Sequence, residues 1–354
     1  MKFSKLFLVA LVSSLVFVSC TDNGTESVDP GDYNNGVLVL NEGSAGQGSV
    51  SHISSDLATF TQDAYTTANP ADLLGKYVQN IFFDGNKAFI IAGGSNKITV
   101  VDRNTFKIIG KIETGLKNPR YGVVSNGKAY VTNANSYAAW PVTAGDAGNT
   151  DDYIAVINLS TYTVDSKIQL NATANRIVLA NGKLYVTEPY NNNKLVVVNP
   201  TTSAIENINI GSDADSMEEK DGVLYILRSP FGVASEIVKV KLSDASLTKI
   251  VFPSDLKGAK HLDVEQNKIY YTKGTSVYGM SISAPEASFV PILTYSSTSA
   301  YGKMYGFAVK NNRIYIGDGG DFTANSKAYV YSLTGTLEKE FTVGVGPNGF
   351  YFND

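Results

Sequence analysis

An eight-residue pattern recurs seven times along this chain, and that repetition limits the fold more than any other feature. In register the copies are NGVLVLNE from Asn35, GNKAFIIA from Gly85, NGKAYVTN from Asn126, NGKLYVTE from Asn181, DGVLYILR from Asp221, QNKIYYTK from Gln266 and NNRIYIGD from Asn311. Each copy opens on a Gly- or Asn-type turn and runs into a short β-branched and aromatic strand. The fifth position is Val39, Phe89, Tyr130, Tyr185, Tyr225, Tyr270 and Tyr315, at spacings of 50, 41, 55, 40, 45 and 45 residues. A period of roughly 40 to 50 residues with several strands per unit marks a β-propeller. The repeats therefore predict an all-β, seven-bladed propeller with four antiparallel strands per blade.

Blade two shows the unit most plainly. Val78 to Asp84 reads as the inner strand, Gly85 to Ala92 as the second, Asn96 to Asp102 as the third and Thr105 to Ile112 as the outer edge. Alternation is weak along these segments, as expected where a sheet is covered on both faces by neighbouring blades. Closure is also legible. The chain ends in PNGFYFN from Pro347, an inner-strand pattern with no second strand after it, whereas the first repeat has no inner strand before it. The C-terminal strand is thus expected to complete blade one and close the ring, which hides two sheet edges.

The net charge of -4 over 354 residues gives no electrostatic case for binding nucleic acid. One cysteine, Cys20, precludes an internal disulfide and a thiolate metal cluster, and two histidines, His52 and His261, leave little for a zinc or copper site. Both histidines are expected to be structural, with their ring nitrogens satisfied. Lys2 and Lys5 precede an apolar run from Leu6 to Val18, too short to span a membrane but suited to a secretory signal. The run ends in Phe17-Val18-Ser19-Cys20, which resembles a bacterial lipobox with Cys20 lipidated, although Phe17 stands where a leucine is usual. The sequence thus divides into a signal peptide (1–19), a lipidated flexible tether (20–34) and a propeller (35–354). The tether is acidic and poor in apolar residues. Its acidic residues after Cys20 resemble the surface-export signal of Bacteroidetes lipoproteins.

The repeats resemble the YVTN-type surface propellers, with YVT standing at Tyr130 to Thr132 and at Tyr185 to Thr187. LNEG at Leu40, NPRY at Asn118, MYGF at Met304, GDGGDF at Gly317 and the terminal GPNGFYF resemble a narrower group, the BtuG-like surface propeller lipoproteins of Bacteroidetes. That resemblance implies cobalamin or a related corrinoid as ligand, a TonB-dependent outer-membrane transporter as partner, and a lipid anchor in the outer membrane.

In a propeller, inner strands start and second strands end on the same face. The register places one ring of side chains at the inner-strand starts: Asn348, Gln79, Arg120, Asn175, Asp215, Lys260 and Tyr305. A second ring closes the second strands: Glu42, Ala92, Asn133, Glu188, Arg228, Lys273 and Asp318. A wet channel mouth must be polar in any case, so the rings mark a candidate face rather than a ligand. Tyr121 lies just inside the inner ring. The longest insertion, Ala134 to Asp151, overhangs the same face and carries Tyr137 and the chain's single tryptophan, Trp140. Long loops in compact domains are usually functional or disordered, and a tryptophan there suits an amphipathic contact. Tyr190, Phe231 and Phe322 occupy equivalent loops. A donor- and acceptor-rich bowl with aromatic walls suits the amide-fringed corrin, since each buried polar group left unpaired costs about 1–3 kcal/mol.

Enzyme readings find less support. One tryptophan does not supply the repeated motif of pyrroloquinoline-quinone propellers, and no Asp-box or GxSxG is present. Asp318 and Asp321 in GDGGDF lack the ligand number of a calcium loop and read as a turn. The expectation is a non-catalytic surface binding protein without cofactor or metal. A scaffold for a glycan or protein is the second reading, and a lactonase-type hydrolase the third.

Overall fold

The computed structural model describes residues 33–43, 46–135, 150–188 and 193–354. Seven four-stranded antiparallel sheets form a seven-bladed propeller. In blade two, Val78–Asp84 pairs with Lys87–Ala92, then Lys97–Asp102, then Ile108–Ile112. The same order runs through blades three to seven, whose inner strands are Pro119–Ser125, Arg176–Ala180, Ala214–Lys220, Lys260–Glu265 and Gly306–Lys310.

The repeated motif builds the first hairpin of each blade. Its turn residues take the left-handed backbone that a two-residue hairpin requires: Asn126 and Gly127 have φ of 51° and 70°, and Asn181 and Gly182 have 46° and 70°. The fifth-position side chains are all buried, from 0% exposed at Val39 and Phe89 to 6% at Tyr225. They point into the spaces between blades, where the apolar core is divided into seven clusters. One such cluster joins Phe82, Phe89, Ile91 and Val100 of blade two to Ala129, Val131 and Tyr153 of blade three. Every blade is thus covered on both faces, which accounts for the weak alternation.

Closure follows the sequence expectation. Pro347–Asn353 pairs antiparallel with Gly36–Asn41, from Gly36 opposite Asn353 to Asn41 opposite Pro347. Asn353 ties the end down: its Nδ2 donates to the carbonyls of Tyr33 at 2.6 Å and Arg103 at 2.8 Å, and Arg103 Nε donates to its Oδ1.

Three details depart from the sequence reading. Tyr33, assigned to the tether, is buried edge-on against His52 and Phe106, with ring centroids 5.3 Å from each. The outer strands of blades one and six shrink to Phe60–Thr61 and Leu293–Thr294. After the first of these the chain forms a one-turn helix, Ala64–Ala68, capped by Asp63, whose carboxylate accepts from the backbone N–H groups of Tyr65 and Thr66. Cys20 and the signal and tether residues up to 32 lie outside the described residues, as do Tyr137, Trp140 and Tyr190.

Candidate functional site: a polar bowl over the central channel

The face defined by the inner-strand starts opens into a bowl of about 510 Å³. Six of the seven inner-ring residues line it: Asn348, Gln79, Arg120, Asp215, Lys260 and Tyr305. Asn175, the seventh, does not line the bowl but links its members. Its Oδ1 accepts from Arg120 Nε at 3.4 Å, and its Nδ2 donates to Asp215 Oδ1 at 3.2 Å. Tyr121 lines the wall and accepts a 3.0 Å hydrogen bond from Gln79 Nε2.

Backbone irregularity aims these side chains. Inner-strand registers shift between Val78 and Asn80, Pro119 and Gly122, Ala214 and Met217, and Lys260 and Leu262. The residues left without a ladder partner are Gln79, Arg120 and Tyr121, Asp215 and Ser216, and His261, and all of them line the bowl. A bulge rotates its extra residue out of the alternating pattern, so side chains adjacent in sequence reach the same space. Left-handed residues precede several inner strands, with φ of 44° at Asn118 and 62° at Asp213, residue types that tolerate it, and 51° at Tyr77 and 48° at Met304. In the latter two, bulkier residues the conformation is held by the surroundings, and strain of this kind collects at functional sites.

The outer ring is used differently. Asn133 is buried, donating to Val131 O at 2.8 Å and accepting from Lys117 N at 2.9 Å. Glu188 accepts from Thr173 Oγ1 at 2.9 Å, and Arg228 donates to Ser212 O at 2.7 Å and pairs with Glu236. Asp318 accepts from Tyr295 Oη and Gly320 N, both at 2.9 Å. Lys273 Nζ donates to Asp255 O at 2.5 Å, and Ala92 is buried. These side chains tie rim loops together instead of facing the bowl. Glu42 is the exception: it lines the bowl, bonds Tyr305 Oη, and has its pKa raised by burial.

Among the aromatic residues assigned to the rim, Phe231 is fully exposed at 101%, while Phe322 packs edge-on against Tyr305 with centroids 4.8 Å apart. The 134–151 insertion is pinned at its base: Asn135 N and Ala174 N donate to the Asp152 carboxylate at 2.9 and 2.8 Å. Burial raises the Asp152 pKa to about 6. The GDGGDF run is a turn, as expected, with Asp321 Oδ1 accepting from Thr323 N and Ala324 N.

The two histidines are placed differently. His261 lines the bowl, but its Nε2–H donates to Met304 O at 2.6 Å, and burial lowers its pKa to about 4. His52 is buried in blade one. Contrary to expectation its Nε2 has no hydrogen-bond partner, since the surrounding contacts are the Tyr33 ring and the Gly36 backbone. Among the described residues no cluster of three or more His, Cys, Asp or Glu side chains is arranged to hold a metal.

Below the bowl a second chamber of about 430 Å³ continues down the axis, sharing Tyr121, Arg176, Ser216, His261 and Asn348 with it. Its wall carries carboxylates that the repeat pattern did not single out. Glu218 Oε2 accepts from Val264 N at 2.6 Å, and Asp263 Oδ2 from Val309 N at 2.8 Å, each clasping the next blade. Both pKa values are raised by desolvation, that of Asp263 to about 7. A carboxyl group whose folded pKa exceeds its unfolded value stabilises fully below the unfolded pKa and loses that contribution as pH rises through the folded one. Between pH 4 and 7, Asp263 therefore erodes stability as pH rises. The two histidines, with lowered pKa values, act in the opposite sense below about pH 6.5. Asp263→Asn keeps an oxygen for Val309 N and removes the titration. Denaturation at pH 5 and pH 8 should show this variant gaining on the wild type by on the order of 2 kcal/mol at the higher pH. An unchanged difference would show that Asp263 ionises freely.

Fold and site together define a propeller with a built polar bowl on one face of its axial channel. The chain belongs to the family described as a domain of unknown function, DUF5074, which it matches over residues 35–353. Among solved structures it is similar to a quinonprotein alcohol dehydrogenase-like protein from Bacteroides thetaiotaomicron, with 19% identity and a TM-score of 0.67 over 91% of this chain and 79% of that one. A putative 6-phosphogluconolactonase from Bacteroides fragilis aligns with 12% identity and a TM-score of 0.63, covering 92% of this chain and 100% of that one. Virginiamycin B lyase from Staphylococcus aureus gives 14% identity and a TM-score of 0.57 over 78% and 92%. At these identities the likeness is one of fold. No curated protein matches the chain in sequence.

Proposed function

We propose that this protein is a cell-surface lipoprotein that captures a ligand in the bowl without transforming it, and that the ligand is cobalamin or a related corrinoid destined for a TonB-dependent transporter. The observation that carries the binding reading is the convergence of six inner-ring side chains, from six blades, on one cavity. Its lining mixes amides, phenols and cations, a combination that can satisfy many donors and acceptors at once. The corrinoid assignment rests on the resemblance to BtuG-like propellers and on the match between that lining and the amide fringe of a corrin. A corrinoid is larger than the bowl, so one edge would enter while the rest lies on the rim near Tyr301, 90% exposed, and Phe231.

Calorimetric titration of the protein lacking residues 1–20 with cyanocobalamin should give one-to-one binding, with the ligand recovered unchanged. Arg120→Ala should weaken it by roughly 1–4 kcal/mol. Glu340→Ala, on the exposed outer strand Leu337–Val343, should leave affinity as it is. Absence of heat and of co-elution at tens of micromolar would eliminate the corrinoid and favour the second reading, a scaffold that docks a glycan or protein on the exposed Phe231, Val233 and Tyr301 side chains.

The lipid anchor in this reading rests on the lipobox-like sequence at Cys20, and the surface display on the acidic residues that follow it. No helix among the described residues is long and apolar enough to cross a membrane. Cys20→Ser should move the protein from the outer-membrane fraction to the soluble one. If the variant still sediments with membranes, a protein partner rather than a lipid is the anchor.

A further inference from the structure

Where the bowl narrows into the lower chamber, Arg176 lines both spaces. It is the first residue of blade four's inner strand, one position beyond the inner ring. Its guanidinium lies over the Tyr121 ring, 4.4 Å from the centroid, and its Nε donates to Asp215 Oδ1 at 3.3 Å. Stacking on one face and a carboxylate at one edge fix the plane of the group. Its two Nη nitrogens make no hydrogen bond to any described residue, so a rigid fork of donors is left open in an interior cavity. Burial works against this charge, but Tyr121 and Asp215 outweigh it and keep the group protonated.

Other cations share the bowl. Arg120 uses its Nε on Asn175 Oδ1, leaving its Nη nitrogens open, and the ammonium groups of Lys260 and Lys303 make no hydrogen bond to described residues. Against these four stand three carboxylates in the bowl, Glu42, Asp213 and Asp215, and below Arg176 in the lower chamber Glu218, whose ionisation burial opposes. Asp215 is engaged by Arg176 and Asn175, and Glu42 by Tyr305, with its ionisation already opposed by burial. The bowl is therefore net +1 in a chain of net charge -4, and its unused hydrogen-bonding capacity is mostly cationic donors. A cavity walled by low-dielectric sheet focuses such a field on an incoming anion.

We infer that the floor of the bowl is an oxyanion subsite, in which the Arg176 fork, assisted by Arg120 and Lys260, takes a phosphate or carboxylate group of the ligand. A planar guanidinium with two parallel N–H donors matches either oxyanion, and charge-assisted bonds of this kind are among the stronger ones. This inference rests on the bowl being a binding site, but not on the ligand being a corrinoid.

The test has two arms, run on the protein lacking residues 1–20. In the first, thermal unfolding is followed in inorganic phosphate, in acetate and in chloride at matched ionic strength. Phosphate should raise the midpoint saturably above chloride, or acetate should do so if a carboxylate is the preferred group. Arg176→Gln should abolish the rise, Arg176→Lys should weaken the anion at least tenfold, and Lys339→Gln on the exposed outer strand should retain it. If Arg176→Gln does not fold, the double variant Lys260→Gln/Lys303→Gln, at two exposed positions, replaces it and should also weaken the anion. In the second arm, cobalamin is compared with cobinamide, which lacks the phosphate-bearing nucleotide. Tighter binding of cobalamin, lost in Arg176→Gln, supports the subsite. Anion binding without any corrinoid binding leaves the subsite standing and removes the corrinoid. Equal affinity for both corrinoids with no anion effect removes the subsite and leaves the corrinoid. An anion effect undiminished in the Arg176 and lysine variants also overturns it.

Discussion

Removing Pro347 to Asp354 is expected to abolish cooperative folding. The strand Gly36–Asn41 would lose its inner neighbour along its whole length, leaving a row of unpaired backbone groups beside the channel. Phe350 would leave the cluster between blades seven and one, where it packs against Tyr315 at 5.6 Å between centroids. The Asn353 bonds to the Tyr33 and Arg103 carbonyls would go too, and with them the tie between the C-terminal strand and blade two. The truncated protein should be insoluble, or should lack a cooperative transition by circular dichroism. Deleting residues 21–32, which stops short of buried Tyr33, should leave the melting midpoint in place. Were the C-terminal truncation to melt together with the intact chain, the ring would not depend on this strand for closure.

Phe89→Ala is expected to be the most damaging single core substitution among the fifth-position residues. Phe89 is fully buried, stacks on Phe82 at 4.8 Å with ring planes 6° apart, and meets Tyr162 edge-on at 6.4 Å. Its removal leaves a hole between two rigid sheets that cannot collapse far, at a cost of roughly 3–5 kcal/mol. Leu247→Ala, on the outer strand of blade five, should change stability by no more than about 0.5 kcal/mol. Urea unfolding monitored by fluorescence separates the two. A loss at Phe89 no larger than at Leu247 would mean that the blades are not held by the space between them.

Much of the fold was legible because its determinants are local. Asn-Gly and Asp-Gly turns force left-handed dihedrals, and β-branched and aromatic runs after them favour strands. Seven copies at a propeller period leave little choice of architecture, and the unpartnered PNGFYFN run announced closure. The inner ring was legible for the same reason: its members share one register position, and six of them face the bowl.

What the sequence by itself determined, then, is the number of blades, their hairpins, the closing strand and which end of the ring bears polar side chains. The use of those side chains was decided by tertiary contacts. Asn133, Glu188, Arg228 and Asp318 occupy equivalent positions, yet each turns to a rim-loop partner brought near only by folding. Tyr33 is buried because the C-terminal strand of blade one and the adjacent blade two converge on it. Arg176 and Asp263 fall outside the ring register, and it is the neighbouring blade that gives each its role: Asp215 and Tyr121 for the one, Val309 N for the other. Strand propensity acts over a few residues and survives in any context. A bulge that turns two successive side chains toward one axis is selected by packing against adjacent blades, and that information is absent from any single repeat.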